Sequence, residues 1–155
     1  MAQQLWLLRH GEAEPHDARP DAERRLTERG REQSRAAGRA LAALKIQIHA
    51  AYTSPRVRAR ETAILACEPL CIEPIDDDSL SGDFTTDDAM RLLAASEADQ
   101  RVLIVGHEPD FSQVVYDLTG GRIDLKKGGI AAIRLDGARG ELMALMRPRE
   151  LARIS

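Results

Sequence analysis

The chain is predicted to fold as an α/β protein: a three-layer sandwich with a mainly parallel, mixed-edge central sheet and helices on both faces. Three observations predict it. Short apolar runs alternate with amphipathic stretches as far as Leu118, the pattern of βα units. One run, Val102-Leu103-Ile104-Val105, is continuously apolar, as suits a strand covered on both faces. The last third instead carries short runs, the final two separated by the turn dipeptide Asp136-Gly137.

The elements follow in order. Gln4 to Leu8 reads as a buried strand, and Arg9-His10-Gly11 as the turn off its C-terminal end. Residues 12 to 25 are polar, with Pro15, Pro20 and several acids, and are expected to form a loop. Thr27 can cap a helix reaching about Ala43, with Ala37, Leu41 and Leu44 on one face and Gly30, Ser34 and Gly38 allowing close packing. Ile46 to Thr53 contains a second strand. Ser54-Pro55 reads as the cap and first position of a helix reaching about Ala66. A short strand is expected over Cys71 to Ile75, an acidic loop over Asp76 to Phe84, and a helix over Thr86 to Ala95. The strand Arg101 to Val105 closes at Gly106-His107, and Pro109 or Asp110 opens a helix to about Leu118. Thr119-Gly120-Gly121 breaks it. Ile123–Leu125, Ile130–Leu135 and Leu142–Met146 then read as short strands.

The length, 155 residues without a repeat or linker, is that of one domain spanning 1–155. Aromatic residues make up 3% and the net charge is −3, so neither stacking platforms nor a global basic field favours a nucleic-acid partner. No apolar run approaches the roughly 20 residues needed to span a bilayer, and no signal peptide is visible. A cytoplasmic protein without a membrane partner is expected. Without a signal peptide, Cys67 and Cys71 are expected as free, partly buried thiols, and no further ligands accompany them for zinc.

In open parallel sheets ligands bind beyond the C-terminal strand ends. Arg9-His10, Thr53-Ser54 and Gly106-His107 all fall at such ends. A histidine alone at a strand end is most simply structural, but the neighbours of His10 change this. Arg9 offers a planar fork suited to phosphate oxygens, and Gly11 lets a ligand approach the backbone. A nearby arginine also disfavours the imidazolium, leaving His10 neutral and nucleophilic. The helix start after Ser54 favours anions, and Arg56, Arg58 and Arg60 strengthen that field, although spacing does not choose among them. With His107, these residues make a clamp for a tetrahedral anion around an imidazole free to attack.

Leu8-Arg9-His10-Gly11-Glu12-Ala13 resembles the signature of the histidine phosphatase (phosphoglycerate mutase-like) superfamily. Arg25-Leu26-Thr27 with Gly30 and Gln33, Ser54-Pro55 with Arg58 and Glu61-Thr62, and Gly106-His107-Glu108-Pro109 resemble three further segments of that family, in the same order. The short length and the Gly-His-x-Pro form most resemble the SixA-type phosphohistidine phosphatases, as does Lys126-Lys127-Gly128-Gly129. The resemblance implies His10 as the phospho-accepting nucleophile and Arg9, Arg58 and His107 as ligands of the phosphoryl oxygens, with Gly11 beside them. It implies no metal and no organic cofactor. The implied partner is a phosphorylated protein, such as a histidine phosphotransfer domain in signal transduction, or a small phosphate ester.

One departure bears on the substrate. Larger relatives carry a mid-chain acid that protonates an alcohol leaving group. Asp76 to Phe84 lacks a clear match, leaving Asp83 and Glu12 as weak acid candidates. An alkoxide benefits from a general acid, whereas the imidazole of phosphohistidine leaves with less help. The expected activity is therefore hydrolysis of a protein phosphohistidine through phospho-His10. Two alternatives stand beside it: a broad small-molecule phosphomonoesterase using Asp83, and a non-catalytic phosphate- or phosphoprotein-binding module.

Overall fold

The strand that ends in Arg9 lies inside a six-stranded sheet, paired on both edges. The computed structural model describes residues 2–155. The strands are β1 (Gln3–Arg9), β2 (Ala50–Thr53), β3 (Pro74–Asp76), β4 (Arg101–Gly106), β5 (Ile130–Asp136) and β6 (Arg139–Met146). The helices are α1 (Glu28–Ala43), α2 (Val57–Cys67), α3 (Thr86–Ala94), α4 (Asp110–Thr119) and α5 (Pro148–Ile154). Spatial order is β3-β2-β4-β1-β5-β6. The first four strands run parallel, β5 is antiparallel to β1, and β6 is antiparallel to β5. The α/β class and the mixed edge are as predicted.

Alternation along β1 builds two cores. Leu5 and Leu7 face α3 and α4, joining Val102, Ile104, Phe111 and Ile133. Trp6 and Leu8 face α1, α2 and α5, joining Leu103, Val105, Leu41 and Leu151. Val102 to Val105 are fully buried, which explains why that run has no polar face. Each such side chain contributes about 1.5–3 kcal/mol of transfer free energy.

Several boundaries differ from expectation. Thr27 does cap α1, its side chain accepting from Gly30 N–H. Leu44 lies beyond the last turn and is exposed, since the chain has already turned off the α1 face there. Ser54 is not the cap of α2: Pro55 and Arg56 stay outside the helix, Arg56 takes the cap position, and α2 begins at Val57. Ile123–Leu125 forms no strand and stays outside the six-stranded sheet. Leu125 is instead buried as a loop residue. β3 is displaced to Pro74–Asp76, and a 3-10 turn, Asp78–Ser81, sits in the acidic loop. Helix α5 was not anticipated. It is short, buries only Leu151 among its residues, and starts with Pro148 while Glu150 accepts from Arg147 N–H at 3.0 Å. Cys67 is buried and Cys71 exposed, both free, and burial pushes the Cys67 thiol up to about 12. Among the described residues no helix is long and apolar enough to cross a membrane.

Two glycines fix how α1 meets the turn after β1. A Cβ on Gly30 would lie 2.0 Å from the Glu12 carbonyl oxygen, and one on Gly11 would lie 2.6 Å from the Gly30 carbonyl oxygen. The backbones therefore touch with no room for a methyl group. Gly30→Ala is expected to destabilise the protein by about 1–3 kcal/mol, as overpacking does. A urea melt matching the unaltered chain would contradict this close packing.

Candidate active site

β2, β4 and β1 are neighbours and run parallel, so their C-terminal ends share one rim. The ladder continues one residue past each strand. Ser54 N–H donates to Val105 C=O at 3.0 Å, and His10 N–H donates to Gly106 C=O at 3.1 Å. These bonds hold the three segments carrying Ser54, His107 and His10 side by side.

His10 is 6% exposed. Its Nδ1 lies 2.7 Å from the Gly11 carbonyl oxygen. A carbonyl only accepts, so Nδ1 carries the proton and the lone pair sits on Nε2. His107, 8% exposed, has its ring centroid 5.3 Å from that of His10. Its Nε2 lies 2.8 Å from Ser54 Oγ, which also accepts from Arg56 N–H at 3.2 Å. Where the Ser54 hydroxyl donates to Nε2, His107 carries its proton on Nδ1, the tautomer that an anion facing Nδ1 selects.

The two arginines are held from behind. Arg9 Nη1 donates to Leu125 C=O at 2.9 Å. Arg58, in the first turn of α2, donates from Nη1 to the Asp21 carbonyl at 2.7 Å and from Nη2 to the Asp21 carboxylate at 3.2 Å. Burial distinguishes it from its neighbours: the Arg58 side chain is 6% exposed, against 32% for Arg56 and 51% for Arg60. Arg9 Nε, Arg58 Nε and His107 Nδ1 are buried and have no hydrogen-bond partner among the described residues. Buried donors of this kind are uncommon, because each forfeits its hydration. All three belong to side chains whose charge acts on the neutral His10 ring.

Sequence reasoning missed Asp21, one of several acids in a polar loop, where no local pattern singled it out. It also missed what the remaining motif residues do. Thr62 Oγ1 accepts from Gly11 N–H at 3.1 Å and donates to Arg58 C=O at 2.8 Å. Gln33 Oε1 accepts from Glu12 N–H at 2.9 Å, and Glu61 Oε1 from Leu26 N–H at 3.1 Å. These side chains brace the loop that follows the nucleophile. Of the two acid candidates, one is engaged and the other exposed. The Glu12 carboxylate accepts from the Thr27 hydroxyl at 2.7 Å. Asp83 is exposed, in a left-handed backbone conformation, and its side chain makes no hydrogen bond among the described residues. No group of three or more His, Cys, Asp or Glu side chains suited to a metal ion occurs among the described residues.

Burial takes His10 from its ordinary 6.5 down to about 3; the Gly11 carbonyl opposes this, while His107, Arg58 and Arg9 add to it. Burial followed by Arg58 and Arg56 takes His107 down to about 3 as well, against the pull of Asp21. Both rings are therefore neutral at neutral pH, with burial a larger cause than the arginines the sequence pointed to. In the unfolded chain both would gain protons below pH 6.5 that the folded state refuses until about pH 3. Stability should thus fall as pH falls through that window, by up to about 1.4 kcal/mol per pH unit for each ring. Urea midpoints between pH 6.5 and 5 read this before most carboxylates titrate. The slope should shrink in the His10→Asn, His107→Asn protein, and a flat profile in the unaltered chain would refute the burial argument.

The model of the histidine phosphatase superfamily (branch 1) matches residues 5–82. An uncharacterized protein of Picosynechococcus sp. (strain ATCC 27264 / PCC 7002 / PR-6) is 32% identical over 162 residues, covering 96% of this chain and 98% of its own. The structure of the protein histidine phosphatase SixA complexed with tungstate superposes with a TM-score of 0.84 at 27% identity, over 96% of this chain and 99% of that one. A phosphoserine phosphatase of Entamoeba histolytica shares the fold, with a TM-score of 0.76 at 16% identity over 96% and 99% of the two chains. By sequence and by fold, the chain belongs to the histidine phosphatase superfamily.

Proposed function

We propose that the chain is a phosphohistidine phosphatase that removes phosphate from a protein histidine through a phospho-His10 intermediate. The observation that carries this reading is the set of three buried, unpartnered donors, Arg9 Nε, Arg58 Nε and His107 Nδ1, around a neutral imidazole whose Nε2 is free. Donors that forgo hydration in the free protein are preorganised for an anion and need no rearrangement when charge develops on it.

His10 Nε2 attacks phosphorus, and the bond to the substrate imidazole breaks as the new P–N bond forms. The leaving imidazole takes back the electron pair and is protonated by solvent. Arg9, Arg58 and His107 donate to the non-bridging oxygens, and Asp21 fixes the Arg58 fork. Water then attacks phospho-His10 and releases inorganic phosphate. Positioning and charge stabilisation do most of the work, as is general for phosphoryl transfer. No step uses a metal ion.

The substrate class is supported by two observations. Neither Glu12, engaged by Thr27, nor Asp83, exposed in its turn, is held as a dedicated acid, which suits an imidazole leaving group better than an alkoxide. The SixA structure is also similar over nearly the whole of both chains. The fold shared with a phosphoserine phosphatase keeps a small phosphate ester as a second reading.

A hydrolysis panel tests the proposal. A phosphohistidine protein should be turned over much faster than small phosphate esters, and equal rates would sink the substrate assignment. His10→Ala should abolish turnover and the acid-labile phosphoenzyme; label persisting on that variant would exclude His10 as the nucleophile. Arg58→Ala should lower kcat by about 10²–10³, the scale for losing one oxyanion donor. Asp21→Asn should cost less than Arg58→Ala, since it loosens the fork without removing it. EDTA should leave the rate unchanged.

A further inference from the structure

A cavity of about 500 Å³ opens beside Arg9, and none of the mechanism above uses its other cations. Arg9, Arg29, Lys126, Lys127, Arg147 and Arg149 line it. They come from the end of β1, the first turn of α1, the loop before β5, and the start of α5. Four carboxylates offset the six cations: Glu12 within the cavity, Glu108 acting on Arg9, Glu150 shared by Arg147 and Arg149 at 2.9 and 3.1 Å, and Asp124 against Lys126 at 2.8 Å. Arg29 and Lys127 have no carboxylate within salt-bridge distance among the described residues. A surplus of positive charge thus gathers at one edge of a chain whose net charge is −3.

The rim is tied to the nucleophile. Gly128 N–H donates to the carbonyls of both Arg9 and His10, at 3.1 and 2.9 Å, and Arg9 N–H donates to Gly129 C=O at 3.1 Å. The two lysines just before Gly128 are therefore held at a set position relative to His10. Arg9 belongs to both places, half-buried, with its unpartnered Nε among the site donors.

We propose, building on the phosphohistidine reading, that this rim docks acidic side chains flanking the phosphohistidine of a protein substrate. Five of the six cations are exposed and spread over three segments rather than converging on one point. That layout suits several carboxylates on a protein surface better than a single small anion, and it serves encounter and register more than raw affinity. The lining holds no Phe, Tyr or Trp on which a base could stack, so nucleic acid fits it less well.

Two peptides phosphorylated on a single histidine with phosphoramidate, one flanked by Glu and one by Gln, test this on the intact chain. The unaltered protein should show a KM about tenfold lower for the Glu-flanked peptide, and about 0.5 M NaCl should erase the difference. Arg29→Glu with Lys127→Glu should abolish or invert that preference while leaving kcat on the Gln-flanked peptide unchanged. An equal KM ratio in the variant and the unaltered protein would overturn the proposal. Fluorescence anisotropy with the unphosphorylated Glu-flanked peptide reads docking without turnover. Binding lost in the variant supports the docking surface even if neither phosphopeptide is hydrolysed, a result that would instead reject the phosphohistidine reading. Tighter binding of a thymidine oligonucleotide than of the Glu-flanked peptide would assign the rim to nucleic acid and overturn the proposal.

Discussion

Four nitrogen-bearing side chains gather at one rim, His10, Arg58 and His107 buried and Arg9 half-buried, and each resists losing its water. The imidazoles respond by staying neutral. The guanidiniums cannot, so they keep charge and are braced from behind, Arg9 by a single carbonyl and Arg58 by both oxygen types of Asp21. Like charges and desolvation would push these groups apart and into solvent. The rest of the fold has to hold them against that tendency, and much of its local detail is intelligible as restraint.

The restraint is mostly backbone. Parallel pairing of β1, β2 and β4 sets the spacing of the three strand ends, and ladder bonds at Ser54 and His10 carry it into the loops. Thr62 then couples the Gly11 amide to the α2 turn that bears Arg58. Contact between Gly11 and Gly30 seats the same loop on α1. Residues that pattern with the active site in sequence thus divide into those that face the anion and those that stop the first group from moving.

The sheet and its rim were legible because burial and strand ends leave local marks: a run such as Val102–Val105 has one reading, and polar residues directly after such a run have few. Arg58 could be placed on a helix start but not separated from Arg56 and Arg60, since what distinguishes it is burial beneath the Asp21 loop, a tertiary fact. Ser54 misled as a helix cap because its hydroxyl does accept from Arg56 N–H, yet Arg56 is still extended and the helix begins only at Val57. Helix α5 was illegible because its single buried side chain gives no periodicity. Ile123–Leu125 has strand composition but lies outside the sheet, where Leu125 is buried as a loop residue.

The reversal of direction at β5 has a consequence for how many segments can serve one site. In an all-parallel sheet only the loops leaving strands reach the C-terminal rim; those entering them lie at the far end. Because β5 runs against β1, with Ile130 opposite Leu8, the segment that enters it arrives at the same rim. β6 runs back again, with Met146 opposite Ile130, so the chain leaves the hairpin there too. One change of polarity thus supplies the rim with an incoming loop and an outgoing helix, and their sequences can vary without disturbing the parallel strands that carry the histidines.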